Sequence, residues 1–211
     1  MGLLHQSMPE LVDNELDMLS IYRDVARIHM QCIEQGFLSK LGESFLVLLY
    51  ESIAADRNSV LFIERSEGHV VGFITGGRGM GSIYRQMLLH WPRLFVALLP
   101  TMFKPLKLKW ILEVILFSFK KKPTLGYSKA ELLSIAVLES ARGKGVATRL
   151  YRALTDHFSN EGEPAFSIVV GNSLDSAHHF YLCMGAIPVT HITVHDGQVS
   201  TLYQHDLLKN N

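Results

Sequence analysis

The chain has 211 residues, of which 48% are hydrophobic and 19% are charged, and its formal net charge is zero. This length suits one domain with a sizeable hydrophobic core, and we expect residues 1–211 to form it. A neutral total gives no reason to expect a nucleic-acid partner. The two cysteines, Cys32 and Cys183, are too few for a disulfide framework and lack metal-ligand spacing, so we expect two reduced packing residues.

The N-terminal part is predicted to contain two helices followed by two strands. Apolar residues within Leu11–Gln35 predict a strand-like entry and then a helix, and Gly42–Ile53 predicts a second, amphipathic helix. Ser59–Arg65 and Val70–Gly76 are apolar runs typical of strands. The turn signal Ser66-Glu67-Gly68 between them indicates a hairpin.

Residues 78–125 differ in composition from the rest of the chain. They contain nine Lys or Arg and one acid, Glu113, which leaves 11 basic and 19 acidic residues elsewhere. The neutral total therefore combines a +8 segment with a −8 remainder. Both tryptophans, Trp91 and Trp110, lie in this segment. Three prolines are expected to divide it into short helices, because proline rarely continues one: Pro92, Pro100 and Pro105.

Several roles are open for this basic, aromatic segment. A helix over Leu106–Phe119 would cover about 20 Å, less than the ~30 Å hydrocarbon core, so the segment is not expected to span a bilayer. It could lie at a membrane surface, with aromatic residues buried and cations at the headgroups. The alternatives are packing on the body or on a second copy of the chain, and a lid over a substrate site.

The stretch Glu131–Leu154 carries the clearest site pattern in the chain. Its first part, up to Leu138, is a short apolar run that predicts a strand buried on both faces. Its last part predicts an amphipathic helix, with Arg149 and Arg152 on the side away from the apolar face. Two glycines between them allow a sharp turn and a close approach of the backbone amides to a ligand. The N-terminus of the helix then favours phosphate.

The residues of that turn are Arg142-Gly143-Lys144-Gly145-Val146-Ala147. A Walker loop and a dinucleotide fingerprint are both absent from it. The pattern R-x-x-G-x-A matches the signature R/Q-x-x-G-x-G/A, and here the chain resembles the GNAT superfamily of acyl-CoA-dependent acyltransferases. In that family the loop cradles the pyrophosphate of coenzyme A. An ordinary strand–helix junction with a glycine-rich turn is the alternative.

The resemblance continues through the next two elements. Ala165–Val170 is predicted to be a buried strand, and Ser173–Met184 a helix. The sequence AHHFYLCMGA, from Ala177 to Ala186, is similar to the A-x-x-F-Y-x-x-x-G-F/A segment of the family. Many relatives carry an asparagine seven positions before the tyrosine, where this chain has Leu174. Asn172 lies two residues earlier, so any polar contact to the coenzyme from this region must be made differently.

The resemblance implies an α/β (α+β) fold with a mixed, mostly antiparallel central sheet and helices on both faces. The sheet is expected to splay beside the phosphate loop. Asp196-Gly197, flanked by His191–His195 and Gln198–Gln204, predicts a closing hairpin. Residues 78–125 then stand as an insertion between the third and fourth strands, where the family needs only a short connection.

The resemblance also implies acetyl-CoA as co-substrate and assigns residues to hold it. Backbone amides of the loop would bind the pyrophosphate. Amides near the splayed end of the Glu131 strand would bind the pantetheine arm and the thioester oxygen, in a role that resembles an oxyanion hole. The expected coenzyme-binding residues are Ile135, Ala136, Val137, Arg142, Gly143, Lys144, Gly145, Val146, Ala147, Thr148 and Asn172.

Two residues are candidates for catalysis. Tyr181 matches the tyrosine that acts as general acid in many relatives, and an aromatic packing residue is the alternative. Glu131 enters the central strand where relatives often carry a base, and burial would raise its pKa into a useful range. A surface carboxylate at the strand end is the alternative for Glu131. We interpret His178 and His179 as mainly structural, and we expect no metal site.

The resulting prediction is an acetyl-CoA-dependent N-acetyltransferase acting on a primary amine of a small molecule. The insertion favours an amino sugar of a surface polysaccharide or a lipid-linked precursor. Amino acids, polyamines, antibiotics and protein N-termini stay open as acceptors. A non-catalytic acyl-CoA sensor or adaptor is the alternative from another class. Met1–Ser7 shows no secretory signal, so we expect a cytoplasmic protein, with 78–125 contacting a second copy or the inner face of the membrane.

Overall fold

The computed structural model describes residues 10–11, 18–33, 38–102, 128–193 and 199–208. Its strands are β1 (Glu10–Leu11), β2 (Ser59–Ser66), β3 (His69–Gly77), β4 (Glu131–Val137), β5 (Ala165–Gly171), β6 (Ile187–Thr193) and β7 (Val199–Asp206). Its α-helices are α1 (Met18–Cys32), α2 (Glu43–Ala55), α3 (Gly81–Leu89), α4 (Trp91–Met102), α5 (Val146–Asn160) and α6 (Asp175–Cys183). Two short 3₁₀ helices cover Leu38–Leu41 and Glu139–Ala141.

All seven strands belong to one sheet, in the order β1-β2-β3-β4-β5-β7-β6. Neighbouring strands are antiparallel except for β4 and β5, which are parallel. The sheet is therefore mixed and mostly antiparallel, which confirms the predicted fold class. The β2–β3 hairpin and the antiparallel β6–β7 pair also confirm the predicted strand pairing. The turn residues Asp196-Gly197 lie outside the described residues.

The parallel pairing of β4 with β5 is short. It covers only two residue pairs, Glu131 with Ser167 and Leu132 with Ile168. Past this point each strand continues along its outer neighbour, β4 along β3 as far as Val137 and β5 along β7 as far as Gly171. The two strands therefore separate toward their carboxyl ends, and the predicted splay is present beside the turn into α5.

Helices cover both faces of the sheet, and each face has its own hydrophobic core. The first core joins buried residues of α1, α2, α3 and α4 to one side of the sheet, and the second joins α5 and Tyr181 of α6 to the other. Alternation along β3 serves both cores, since Phe73 packs in the first and Ile74 in the second. Helix α5 lies close to β3 because Gly76 has no side chain. A Cβ there would meet Leu154 Cδ1 at 2.5 Å.

Two sequence expectations need correction. Pro100 was expected to break a helix, yet α4 runs through it to Met102. The helix ends two residues after Pro100, so the break comes at its C-terminal side and not at the proline itself. Cys183 is exposed on α6 and is not a packing residue, whereas Cys32 is partly buried against the first core. Trp110 and Pro105 lie outside the described residues.

Candidate active site

The turn between β4 and α5 forms the first part of the site. After the 3₁₀ helix Glu139–Ala141, the chain passes through Gly143 and Gly145, whose φ angles are +73° and +74°. Side chains rarely adopt this left-handed region, so both positions require glycine. Gly145 caps α5, and no side-chain hydrogen bond occupies the cap. The first amides of α5 are therefore not used by a capping side chain and can bind an anion.

The outer side of this turn is open. A Cβ on Gly143 would have no heavy atom within 4 Å, whereas a Cβ on Gly145 would lie 3.3 Å from Nη1 of Arg149. The turn is also fixed to the end of β4, because Nε of Arg142 donates to the carbonyl oxygen of Val137 at 3.3 Å. The structure thus brings the predicted loop residues next to the predicted Ile135–Val137 segment.

Arg149 supports the turn from inside. Its Nε and Nη2 donate to Oε1 of Glu64 at 2.8 Å and 2.5 Å, and its Nη1 donates to the carbonyl oxygen of Lys144 at 3.0 Å. Glu64 lies on β2 and is 1% exposed. One guanidinium therefore connects the loop backbone to a buried carboxylate.

This contact corrects the expectation that Arg149 faces away from the body with Arg152. The amphipathic pattern could not reveal it, because the partner lies 85 residues away on another strand. The one available signal was Glu64 itself, an acid within an apolar strand. Oε2 of Glu64 has no hydrogen-bond partner in the described part of the chain, so its charge depends on Arg149.

The splayed half of β4 begins at an irregularity in the sheet. Thr75 pairs with Ser134 and Gly76 pairs with Leu132, so Leu133 is an extra residue in β4. Such a bulge bends a strand and changes its hydrogen bonding. The predicted Ile135–Val137 amides come directly after it, beyond the last described pairing of β4 with β5.

A buried polar network holds the bulge to the helices of the first core. Oγ of Ser134 lies 2.8 Å from Oγ1 of Thr75 and 3.5 Å from the hydroxyl of Tyr50. The Tyr50 hydroxyl lies 2.5 Å from Nδ1 of His29, which is 3% exposed. Burial lowers the pKa of His29 to about 4, so the imidazole is neutral near pH 7.

Tyr181 lies on α6 in the second core. It is 5% exposed, and its ring centroid is 6.0 Å from that of Tyr151 and 6.3 Å from that of Tyr203. Burial raises the pKa of the Tyr181 hydroxyl, so it stays protonated at neutral pH. A protonated hydroxyl suits a general acid, and the aromatic neighbours suit a packing residue. The position of Tyr181 is therefore compatible with both roles.

Glu131 is half-buried at the opposite end of β4 from the loop. It pairs with Gly77 and Ser167, where β4 and β5 are still joined. At about 3.3 Å per residue, it lies roughly 20 Å along the strand from Val137. The structure therefore separates Glu131 from the phosphate loop, and only an extended ligand lying along β4 could reach both.

Asn172 and His178 mark the end of β5. Oδ1 of Asn172, an exposed residue, accepts a hydrogen bond from Thr201 Oγ1 at 3.0 Å. His178 lies 2.8 Å from the Tyr203 hydroxyl through Nδ1 and 3.2 Å from the Gly171 carbonyl oxygen through Nε2. A carbonyl only accepts, so Nε2 carries the proton and Nδ1 accepts from Tyr203. These contacts agree with a structural role for His178.

An acyl-CoA fits the chemistry of these residues. The turn offers backbone amides and an open outer face for phosphate, and the splay offers strand edges for an extended polar arm. Within the described ranges, no group of three or more His, Cys, Asp or Glu could hold a metal ion.

Comparisons with known proteins point in the same direction. The model of the acetyltransferase (GNAT) family matches residues 22–186. An N-acetyltransferase from Staphylococcus aureus Mu50 shares 16% identity at a TM-score of 0.58, covering 95% of this chain and 99% of that one. The aminoglycoside 6′-acetyltransferase type Ii shares 14% identity at a TM-score of 0.59, covering 95% of this chain and 97% of that one. An aminoglycoside 6′-N-acetyltransferase complexed with coenzyme A shares 12% identity at a TM-score of 0.57, covering 95% of this chain and 97% of that one. At these identities the likeness shows the fold, and no curated protein matches the chain significantly.

Proposed function

Because this chain belongs to the GNAT acetyltransferase family and uses acetyl-CoA, we propose that it acetylates a primary amine of a small molecule. The observation that carries the proposal is the glycine turn of β4–α5 beside the splayed, bulged end of β4. Two structurally similar proteins are aminoglycoside acetyltransferases, which supports a small-molecule amine as acceptor.

We assign the donor site to the backbone between Ile135 and Thr148. Acetyl-CoA supplies the activated acetyl group as a thioester. Amides of Arg142–Thr148 would bind its pyrophosphate, and Arg149 would keep the Lys144 carbonyl turned inward, away from the phosphate oxygens. Amides of Ile135–Val137 would bind the pantetheine arm and the carbonyl oxygen, on which negative charge develops during transfer. Asn172 would provide a side-chain contact at the end of β5.

We assign proton transfer to the two catalytic candidates. Glu131 would take a proton from the acceptor amine, directly or through water, as the C–N bond forms. Tyr181 would give a proton to the thiolate as the C–S bond breaks, and its raised pKa keeps that proton in place beforehand. The half-buried position of Glu131 at the paired end of β4 suits the acceptor side of the site.

For the acceptor we favour an amino sugar of a surface polysaccharide or a lipid-linked precursor. Support comes from the composition of 78–125 and from the exposed apolar side chains of α3 and α4. Amino acids, polyamines and protein N-termini are the competing acceptors. We place the protein in the cytoplasm, as one domain over 1–211 with 78–125 inserted between β3 and β4. No described helix has the length and apolar character needed to cross a membrane.

A panel of amines tests the proposal against a non-catalytic acyl-CoA sensor. The purified chain is mixed with acetyl-CoA and each amine class, and release of free thiol is followed with a thiol reagent. We expect release above the hydrolysis background with at least one amine and formation of the acetylated product by mass spectrometry. Tight binding of acetyl-CoA by calorimetry, with no acetylated product from any amine, would favour the sensor.

A further inference from the structure

Apart from Arg93, the described side chains of α4 are apolar, and they lie on both the inner and the outer side of the helix. It buries Leu94 and Ala97 in the first core, at 8% and 6% exposure. A helix that is apolar all round is normally covered on all sides. Its outer side is nevertheless exposed, and so is the end of α3. The exposed residues are Leu88 (47%), Leu89 (72%), Trp91 (67%), Phe95 (50%), Val96 (63%) and Leu99 (39%), and we call them the α3–α4 face.

The α3–α4 face is held firmly in this orientation. Both guanidinium nitrogens Nη1 and Nη2 of Arg93 donate to the carboxylate of Glu51 on α2, at 2.8 Å and 2.7 Å. On α3, Ile83 and Met87 are buried in the first core, and Ser82 Oγ donates to Asp56 at 2.8 Å. The apolar side chains are therefore presented outward by helices that are anchored on the body.

The two helices that carry this face contain basic side chains and no acidic ones. The sequences of α3 and α4 contain no Asp or Glu, and Arg85 is exposed on α3. Within the seven residues after α4 the sequence has three more cations, Lys104, Lys107 and Lys109, which lie outside the described residues. Arg78 and Arg93 are paired with acids of the body. Even so, the segment 78–125 sums to +8 against −8 elsewhere.

Exposed apolar side chains next to basic ones favour an anionic bilayer over a second copy of the chain. A two-fold dimer through the α3–α4 face would bring α3 and α4 of both copies together, with an exposed Arg85 on each and no acid on either helix to pair with it, and the repulsion would oppose such a dimer. A bilayer with anionic lipid offers both an apolar interior and negative charge at its surface. Trp and Phe flanked by cations are the side chains that bind at such a boundary.

We propose that the α3–α4 face docks on an anionic bilayer surface, with Trp91 and Phe95 inserted at the boundary between headgroups and acyl chains. The position of the face gives this docking a use. Helix α3 follows the end of β3, where Gly77 pairs with Glu131. The first residue of α3, Gly81, is four residues from Gly77, and this nearness to Glu131 suits a lipid-linked amine as acceptor. This last step rests on the proposed function; the docking itself does not.

The test uses the full chain carrying Trp110→Phe, so that Trp91 is the only indole. The probes are vesicles of phosphatidylcholine alone and of phosphatidylcholine with 30% phosphatidylserine. We expect co-sedimentation with the anionic vesicles only, together with a blue shift of Trp91 emission and quenching by brominated acyl chains. Binding should weaken as salt rises, because the Debye length of about 8 Å at physiological ionic strength shortens further.

Two further variants distinguish vesicle binding through the α3–α4 face from non-specific hydrophobic adsorption. Trp91→Ser with Phe95→Ser, in the native chain, should reduce vesicle binding at least tenfold while thermal unfolding and turnover of soluble amines stay normal. The control is Leu182→Ser on α6, an apolar residue of similar exposure at 51%, which should bind vesicles like the native chain. Absence of binding to anionic vesicles at low salt would overturn the proposal. So would a salt-resistant dimer in sedimentation velocity that shields Trp91 without lipid.

Discussion

Arg149 shows how one side chain can shape a backbone site without facing the ligand. Its guanidinium joins Lys144 of the loop to Glu64 of β2, and it lies against Gly145. A carbonyl that is held inward leaves the neighbouring amides free to face outward. The planar fork of arginine makes both contacts at once, which the single ammonium of lysine cannot do.

We therefore expect Arg149→Lys to weaken acetyl-CoA binding by about tenfold, equivalent to one charged hydrogen bond of ~1.5 kcal/mol. Calorimetric titration with acetyl-CoA measures the change. Arg152→Lys is the matched control, because Arg152 lies on the same helix and is exposed. Equal affinities for the two variants would show that the loop does not depend on the Arg149 contact.

Tyr181 is the second residue whose role a single substitution can decide. Tyr181→Phe keeps the ring in the second core and removes only the hydroxyl. We expect kcat to fall by roughly 10–10³-fold with coenzyme affinity near normal, as for loss of a general acid. Steady-state kinetics on the best amine from the panel measures this effect.

Tyr151→Phe provides the control for burial. Tyr151 is also buried, its ring lies 6.0 Å from that of Tyr181, and its hydroxyl lies 3.0 Å from Nδ1 of His205. Loss of the Tyr151 hydroxyl should lower the free energy of unfolding by about 1 kcal/mol and leave kcat unchanged. A native kcat for Tyr181→Phe would assign Tyr181 to packing alone.

At the scale of an element, the β4–α5 turn depends on backbone shape more than on side chains. Gly145→Asp adds a side chain at a positive φ, crowds Arg149 and places a negative charge where phosphate is expected. Acetyl-CoA binding should become undetectable by calorimetry. The control is Gly162→Asp in the turn after α5, where φ is +73° and a Cβ would have no heavy atom within 4 Å.

That control carries the same backbone strain and the same added charge, away from the proposed site. Both variants should lose about 1–2 kcal/mol of folding stability, the cost of a left-handed residue other than glycine. Only Gly145→Asp should lose binding. If both variants bind acetyl-CoA normally, the phosphate site must lie elsewhere.

The sequence was sufficient for the elements whose signals are local. The apolar run of β4, the glycines of the turn and the periodicity of α5 lie in one stretch, and the structure has them in that order. The network of His29, Tyr50 and Ser134 and the pairing of Arg149 with Glu64 could not be predicted. Each of these contacts joins side chains from separate elements, so it depends on the order of the strands and on helix packing. A periodic pattern in the sequence indicates only which side of an element faces inward.

At the scale of the whole molecule, each core contains a buried histidine bonded to a buried tyrosine. His29 contacts Tyr50 in the first core, and His205 contacts Tyr151 in the second. Burial lowers the pKa of both histidines, to about 4 for His29, while Asp206 opposes the shift at His205. The folded protein therefore prefers the neutral imidazoles, whereas the unfolded chain binds protons near pH 6.5.

Folding stability should consequently be complete above pH 6.5 and fall as pH decreases toward 4. His29 alone accounts for about 3 kcal/mol of this loss. Urea unfolding from pH 7 to pH 4 measures the slope. His29→Gln keeps an acceptor for Tyr50 and cannot titrate, so its slope should be smaller than that of the native chain. His69→Gln, at an exposed histidine, is the control, and equal slopes for both would contradict the assignment.

The two-residue contact between β4 and β5 has a consequence for how the molecule holds together. It divides the sheet into a block of four strands and a block of three. The boundary between the blocks, which we call the seam, is hydrogen-bonded at one end only. A coenzyme arm lying in the open part of that seam would act as a temporary extra strand. Binding of the coenzyme would then connect the two blocks of strands along their separated edges. We expect the sheet to be more rigid with the donor substrate bound than without it.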